Sequence, residues 1–177
     1  MNWAPYSVGE PLEITGMDML NENTGWVCGY NGFQGVRKTT NGGINWITQG
    51  VININYSSID FINSSTGFSV SSGYNFYKTT NGGDSWSELN FSIGTMNLIY
   101  VKFQDALTGI VAANSSINDT ARILRTTNGG LNWAVIRRSS SNMFYSAEFL
   151  NDNLGWITAF GAVIKTTDAG LTWTSYP

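Results

Sequence analysis

Apolar and polar residues in this chain alternate in short runs of period two, the pattern of a strand with one face buried, and no longer segment carries a helical stripe. Residues 35–40, 75–80, 122–127 and 162–167 alternate up to a pair of threonines each time. Ahead of them stand Gly25-Trp-Val-Cys-Gly29, Gly67-Phe-Ser-Val-Ser71, Gly109-Ile-Val-Ala-Ala113 and Gly155-Trp-Ile-Thr-Ala159, each opened by a glycine that ends a polar turn. Earlier still, residues 17–20, 59–62, 101–104 and 147–150 place Met19, Phe61, Phe103 and Phe149 in register. Naming these c, b and a, and adding a strand d after each pair of threonines, gives a-b-c-d four times over. The expected result is antiparallel meanders joined by short turns, with no helix.

What joins c to d is one octapeptide. TTNGGINW ends at Trp46, TTNGGDSW at Trp86, TTNGGLNW at Trp133 and the looser TTDAGLTW at Trp173, so the tryptophans stand 40, 47 and 40 positions apart. That is the period of one four-stranded blade in a radially repeating β architecture. The second glycine is never replaced, whereas Asp168-Ala169 stands where the other copies have Asn41-Gly42, Asn81-Gly82 and Asn128-Gly129. Gly43, Gly83, Gly130 and Gly170 are therefore expected in the left-handed conformation, with the side chain of Asn41, Asn81, Asn128 or Asp168 folded onto turn N–H groups. Trp46, Trp86, Trp133 and Trp173 are expected to bury their rings against the sheet or the next blade. The octapeptide resembles the Asp-box, or bacterial neuraminidase repeat, Ser/Thr-x-Asp-x-Gly-x-x-Trp. With Lys38-Thr-Thr40, Lys78-Thr-Thr80 and Lys165-Thr-Thr167, and Arg125 in the third copy, it looks most like the photosystem II assembly-factor type of Asp-box β-propeller, a repeat found in many secreted bacterial proteins. The resemblance covers essentially the whole chain. It implies one all-β domain over 1–177, a whole or partial β-propeller, as a β-propeller-type array of four antiparallel blades at about 14–50, 56–90, 98–137 and 144–177. It implies no particular activity, because a propeller carries many.

Composition removes several function classes. With 9 Lys+Arg against 12 Asp+Glu there is no basic footprint for nucleic acid, and no apolar run is long enough for membrane insertion by a helix. The absence of histidine excludes His-based metal sites and Ser-His-Asp or Cys-His catalysis. Cys28, the single cysteine, alternates with apolar neighbours and reads as a buried inert thiol. No cofactor is expected. Asn, Ser and Thr in place of charge suit the surface of an exported protein, extracellular, cell-surface or periplasmic, and that expectation rests on composition alone.

Three arrangements are candidates for function. Lys38, Lys78, Arg125 and Lys165 recur once per blade, either as an arc of positive charge or as stems laid over nearby rings. Asp18, Asp60 and Glu148, with Lys102 as third member, share one column of strand a and are the only carboxylates that suggest a glycan-active hydrolase; Arg37, Arg122, Arg125, Arg137 and Arg138 do not assemble into a sialidase triad. The d-to-a and b-to-c connections gather on one face and hold the irregular sequence. Its candidate binding residues are Tyr30, Phe33, Tyr56, Tyr74, Asn97, Asn118, Arg137, Arg138 and Phe144, aromatic and polar groups suited to a protein or glycan ligand. Residues 1–9 read as an extra d-like edge strand, one more than four closed blades need, which makes self-association into a homo-oligomer through open blade edges a second expectation. The reading favoured here is a non-catalytic binding or scaffolding module, with the self-assembling subunit and the hydrolase as alternatives.

A turn with at most one carboxylate is too poor in charge for a hard cation. EDTA should leave the melting temperature unchanged; a large drop restored by calcium would reassign the Asn and Asp turns to an ion.

Overall fold

A computed structural model describes residue 8 and residues 13–30, 35–50, 54–91, 94–115, 117, 120–140 and 143–177. Among the described residues, sixteen strands form four antiparallel four-stranded sheets, each in sequence order. The first blade is β1 (Glu13–Met19), β2 (Gly25–Tyr30), β3 (Val36–Thr39) and β4 (Ile47–Gln49); the second is β5 (Tyr56–Phe61), β6 (Gly67–Ser71), β7 (Phe76–Thr79) and β8 (Ser87–Leu89). The third is β9 (Met96–Phe103), β10 (Gly109–Ser115), β11 (Ala121–Thr126) and β12 (Ala134–Ser139), and the fourth is β13 (Phe144–Phe149), β14 (Gly155–Ala159), β15 (Ala162–Thr166) and β16 (Thr174–Tyr176). This is the four-bladed propeller-type array, with no helix among the described residues. The edge strand expected at 1–9 lies, apart from Val8, outside them.

Each octapeptide turn is held by the first threonine of its pair, which is buried. Thr39 Oγ1 accepts the N–H of Gly43 at 2.9 Å and that of Asn41 at 3.3 Å, and donates to Asn41 Oδ1 at 3.0 Å. Asn41 Oδ1 also accepts the N–H of Asn45, so one oxygen closes the turn. The pattern repeats at Thr79, Thr126 and Thr166. Only an acceptor oxygen is needed, which is why Asn serves as well as Asp. The glycines are left-handed as expected, φ being 86° at Gly43, 99° at Gly83, 90° at Gly130 and 78° at Gly170. The residue before each is left-handed too, Ala169 included at φ 61°, so the turn uses two consecutive positive φ values where the sequence suggested one.

The cores lie between blades, one for each seam. Phe61 of β5 stacks flat on Trp26 of β2, centroids 3.6 Å apart, and Phe103 of β9 stacks on Phe68 of β6 at 3.5 Å. Such a ring requires space across its own sheet as well. Phe61, Phe103 and Phe149 pair with Gly67, Gly109 and Gly155, and a Cβ at any of these glycines would meet the ring at 2.6–2.7 Å. The glycine opening strand b is thus set by a ring lying over it rather than by the turn. The box tryptophan closes the third side: Trp86, Trp133 and Trp173 stand edge-on to Phe61, Phe103 and Phe149. Trp46 is half-buried. At the third seam Ile110 takes the place of the strand-b ring and packs near Gly170.

Polar groups stitch the same seams. Asp18 Oδ2 accepts the N–H of Phe61 and Asp60 Oδ2 that of Phe103, both at 2.7 Å, and Lys102 Nζ lies 2.7 Å from Asp60 Oδ1. The third seam uses amides instead. The Asn114 side chain bonds both the N–H and the C=O of Phe144, and Gln104 Nε2 donates to the carbonyls of Asp152 and Ala169. Cys28, wholly buried, has its thiol pushed up to about 12 by burial, in keeping with an inert core residue.

Gly130→Ala should cost more than Gly43→Ala. Both face a positive φ, worth about 1 kcal/mol, but a Cβ at residue 130 would also lie 2.3 Å from the Phe76 ring of the preceding blade, while at 43 the nearest atom is Trp46 at 3.5 Å. Asn81→Asp should be nearly neutral. Thermal melts rank the three, and equal losses at 43 and 130 would mean that the seam contact contributes nothing.

Burial pushes the Asp60 carboxyl up to about 6, against the pull of Lys102. Between the ordinary 3.8 and that value the folded chain keeps a proton that the unfolded chain has released, so this group makes stability fall as pH rises from about 4 to 6. Asp18 is raised in the same direction, also by burial. Asp105 and Asp168, lowered by hydrogen bonds, act oppositely and only at more acid pH. Unfolding titrations at pH 4.5 and 7 should show the parent gaining on the order of 2 kcal/mol at the lower pH relative to Asp60→Asn; parallel profiles would refute the assignment.

Candidate functional site

The inner strand of each blade departs from strict alternation at one equivalent point. Register slips between Ile14 and Gly16, Tyr56 and Ser58, Leu98 and Tyr100, and Phe144 and Ser146, leaving Thr15, Ser57, Ile99 and Tyr145 as the extra residues of four β-bulges. A bulge re-aims a side chain. Here all four extra residues line a single cavity of about 290 Å³ where the four inner strands face one another. The type of residue changes from blade to blade, Thr, Ser, Ile and Tyr, while the surrounding scaffold repeats. Thr15 is used within the fold, donating to Tyr56 O at 2.6 Å; Tyr145 is exposed.

The column of charged residues lines the same cavity. Asp18 and Asp60 are committed to backbone N–H groups of the next blade, Lys102 to Asp60, and Glu148 is exposed. Burial works against the charge of Lys102, but Asp60 and then Asp18 outweigh it and hold its pKa above the usual value. The Tyr100 hydroxyl is pushed up by burial and by the charges of Asp60, Glu148 and Asp18, so it remains a neutral donor. What this groove offers chemically is hydrogen bonding and a net negative field beside aromatic surface. Its two best-buried carboxylates are structural.

The expected loop residues separate into groups. Tyr74 is exposed at the β6–β7 turn with φ 71°. Tyr30 ends β2 and bonds Glu13, which raises its hydroxyl pKa. Asn97 is half-buried on β9 opposite Asn114. Tyr56 and Phe144 are not loop residues: each begins an inner strand and is buried, Tyr56 edge-on to Tyr77 and Phe144 with its backbone clamped by Asn114. Their bulges hid the start of strand a from a period-two reading. Arg137 and Arg138 point apart. Arg137 Nη1 donates to Trp173 O of the fourth blade at 2.9 Å, whereas Arg138 is exposed and opposite Arg122 across β11 and β12. Phe33 and Asn118 lie outside the described residues. Sequence reasoning missed Phe160, exposed at the β14–β15 turn, and Tyr145; a Phe-Gly pair at a two-residue hairpin was the available signal for the former. The recurring cations follow the stem-over-ring alternative at three positions, with Lys38, Lys78 and Lys165 Nζ 5.2, 5.3 and 5.5 Å from the ring centroids of Trp26, Phe68 and Trp156.

Solved structures share this fold. The chain superposes on YCF48 bound to D1 peptide with a TM-score of 0.62 at 15% identity, covering 99% of this chain and 86% of that one. On YCF48 from Cyanidioschyzon merolae the TM-score is 0.69 at 18% identity, covering 96% and 58%, so the chain spans little more than half that protein's length. The GH74 enzyme of Niastella koreensis gives 0.70 at 21% identity, covering 92% and 30%. No curated protein sequence matches significantly. At these identities the likeness is one of fold. The model of the Photosynthesis system II assembly factor YCF48 family matches residues 47–176, most of the chain, and the protein belongs to that family.

Proposed function

We propose that this chain is a non-catalytic scaffold that binds an extended peptide segment of another protein in the central groove, at the end carrying the bulges and the exposed aromatics. The observation that carries this reading is the set of four bulge residues. They differ from blade to blade on an otherwise repeated frame, and the frame turns all of them to one cavity. Family membership supports a protein ligand, as does the structural neighbour described as bound to a peptide. A hydrolytic role is disfavoured because Asp18 and Asp60 accept backbone N–H groups at the seams and leave Glu148 without a second free carboxylate in the column. A composition rich in Asn, Ser and Thr supports an exported location.

A peptide display library selected on the immobilised chain should yield binders that lose about tenfold or more in affinity on Tyr145→Ser and on Phe160→Ser, single exposed anchors being worth on the order of 1–2 kcal/mol. Both variants should melt like the parent. Selected peptides that bind both variants as well as the parent, or turnover of β-glucans by the parent, would remove the proposal.

A further inference from the structure

The seams obey a rule, and the two outer faces of the array carry its two unmatched halves. On the side of a blade that receives the preceding one, positions equivalent to Tyr56, Ile59 and Phe61 are buried. In the first blade those positions are Ile14, Met17 and Met19, and they are bare: Met17 is 64% exposed against 4% for Ile59, and Ile14 47% against 1% for Tyr56. On the side that receives the following blade, the position of Val36, Phe76 and Ile123 is buried in the first three blades, yet Val163 of the fourth is 40% exposed. Inner strand β1 packs on β5 and β5 on β9, but no comparable packing joins β13 back to β1 among the described residues. The arc is open.

We infer that a second copy of this chain covers these faces, docking its first blade on the fourth blade of its partner by the same contacts that join consecutive blades. The halves correspond residue by residue. Trp26 stacks on Phe61; Trp156 holds the Trp26 position and Met19 the Phe61 position, and a thioether on an indole face is a favourable substitute for the ring stack. Trp26 Nε1 donates to Gly82 O at 2.9 Å, which sets Trp156 Nε1 to donate to Gly42 O of the second copy. Lys38 and Lys78 extend over their rings toward the next box, to within 3.1 and 3.3 Å of where a Cβ would stand at Gly82 and Gly129; Lys165 lies over Trp156 in the same way and meets Gly42 of the second copy. Asp18 and Asp60 each accept the N–H of the strand-a aromatic in the next blade, and Glu148, exposed in the same column, takes the N–H of Met19 of the second copy. The contact joins unlike patches, so each chain offers one of each, and two copies that close on each other use both. The peptide groove is then walled by both copies, but the contact stands whether or not that groove binds peptide.

The test is the mass of the 177-residue chain in solution by light scattering at micromolar concentration. Twice the 19.4 kDa chain mass, or a larger assembly, is expected, and Trp156→Glu and Met17→Glu should each reduce it to monomer. Both residues are on outer faces, so the variants should keep the parent's far-UV spectrum. Mixed together, the two variants should form a heterodimer, because one retains an intact first-blade face and the other an intact fourth-blade face; a like-to-like interface cannot be rescued in this way. A monomeric parent, or an assembly that either variant leaves unchanged, overturns the inference.

Discussion

The constraint on which this molecule rests is a flat ring on a flat ring across the space between two sheets. Trp26 on Phe61 and Phe68 on Phe103, 3.6 and 3.5 Å apart, each add roughly 0.5–1.5 kcal/mol beyond the area they bury. Their larger effect is on sequence. A ring in that place forbids a side chain opposite it within its own sheet, which fixes the glycine that opens strand b in blades two to four. It also needs an edge contact to hold its tilt, and the box tryptophan supplies that in blades two to four. Ring, glycine and tryptophan are three expressions of one packing requirement, so they recur together at the repeat period.

Elements with local causes were legible in the sequence. The four boxes, the order of strands and the left-handed second glycine follow from turn chemistry within eight residues, and alternation placed strands b and c. Features caused by contacts across a seam were not. Ala169 at positive φ depends on a turn already closed by Thr166 and Asp168. The strand-b glycines looked like turn ends because the ring over them is six residues away and visible only once β5 and β6, for example, are paired. Arg137 and Arg138 could have been separated by alternation alone, since adjacent strand residues face opposite ways.

The groove was the least legible part. Period-two reasoning treats a strand as uniform, and one inserted residue per inner strand defeats it twice. It shifted the apparent start of strand a, which cast the buried Tyr56 and Phe144 as loop residues, and it concealed Thr15, Ser57, Ile99 and Tyr145 as a set. The charged column was visible from sequence, but whether Asp60 was a reagent or a seam fastener turned on a backbone N–H forty-three residues away.

The seams are not equivalent, and the array is in effect a linear chain of units coupled only to their neighbours. Two couplings are led by stacked rings, with Asp18 and Asp60 bonding across beside them, so apolar burial and its heat-capacity signature weigh most there. The third, between blades three and four, trades the ring for Ile110 and relies on Asn114, Gln104 and Arg137 reaching across to backbone groups. Directional bonds of this kind hold an angle closely. The fourth blade is therefore held to the rest by an apolar core with a larger share of directional bonds beside it, so its angle is set by named donors and acceptors where the other seams set theirs by ring faces.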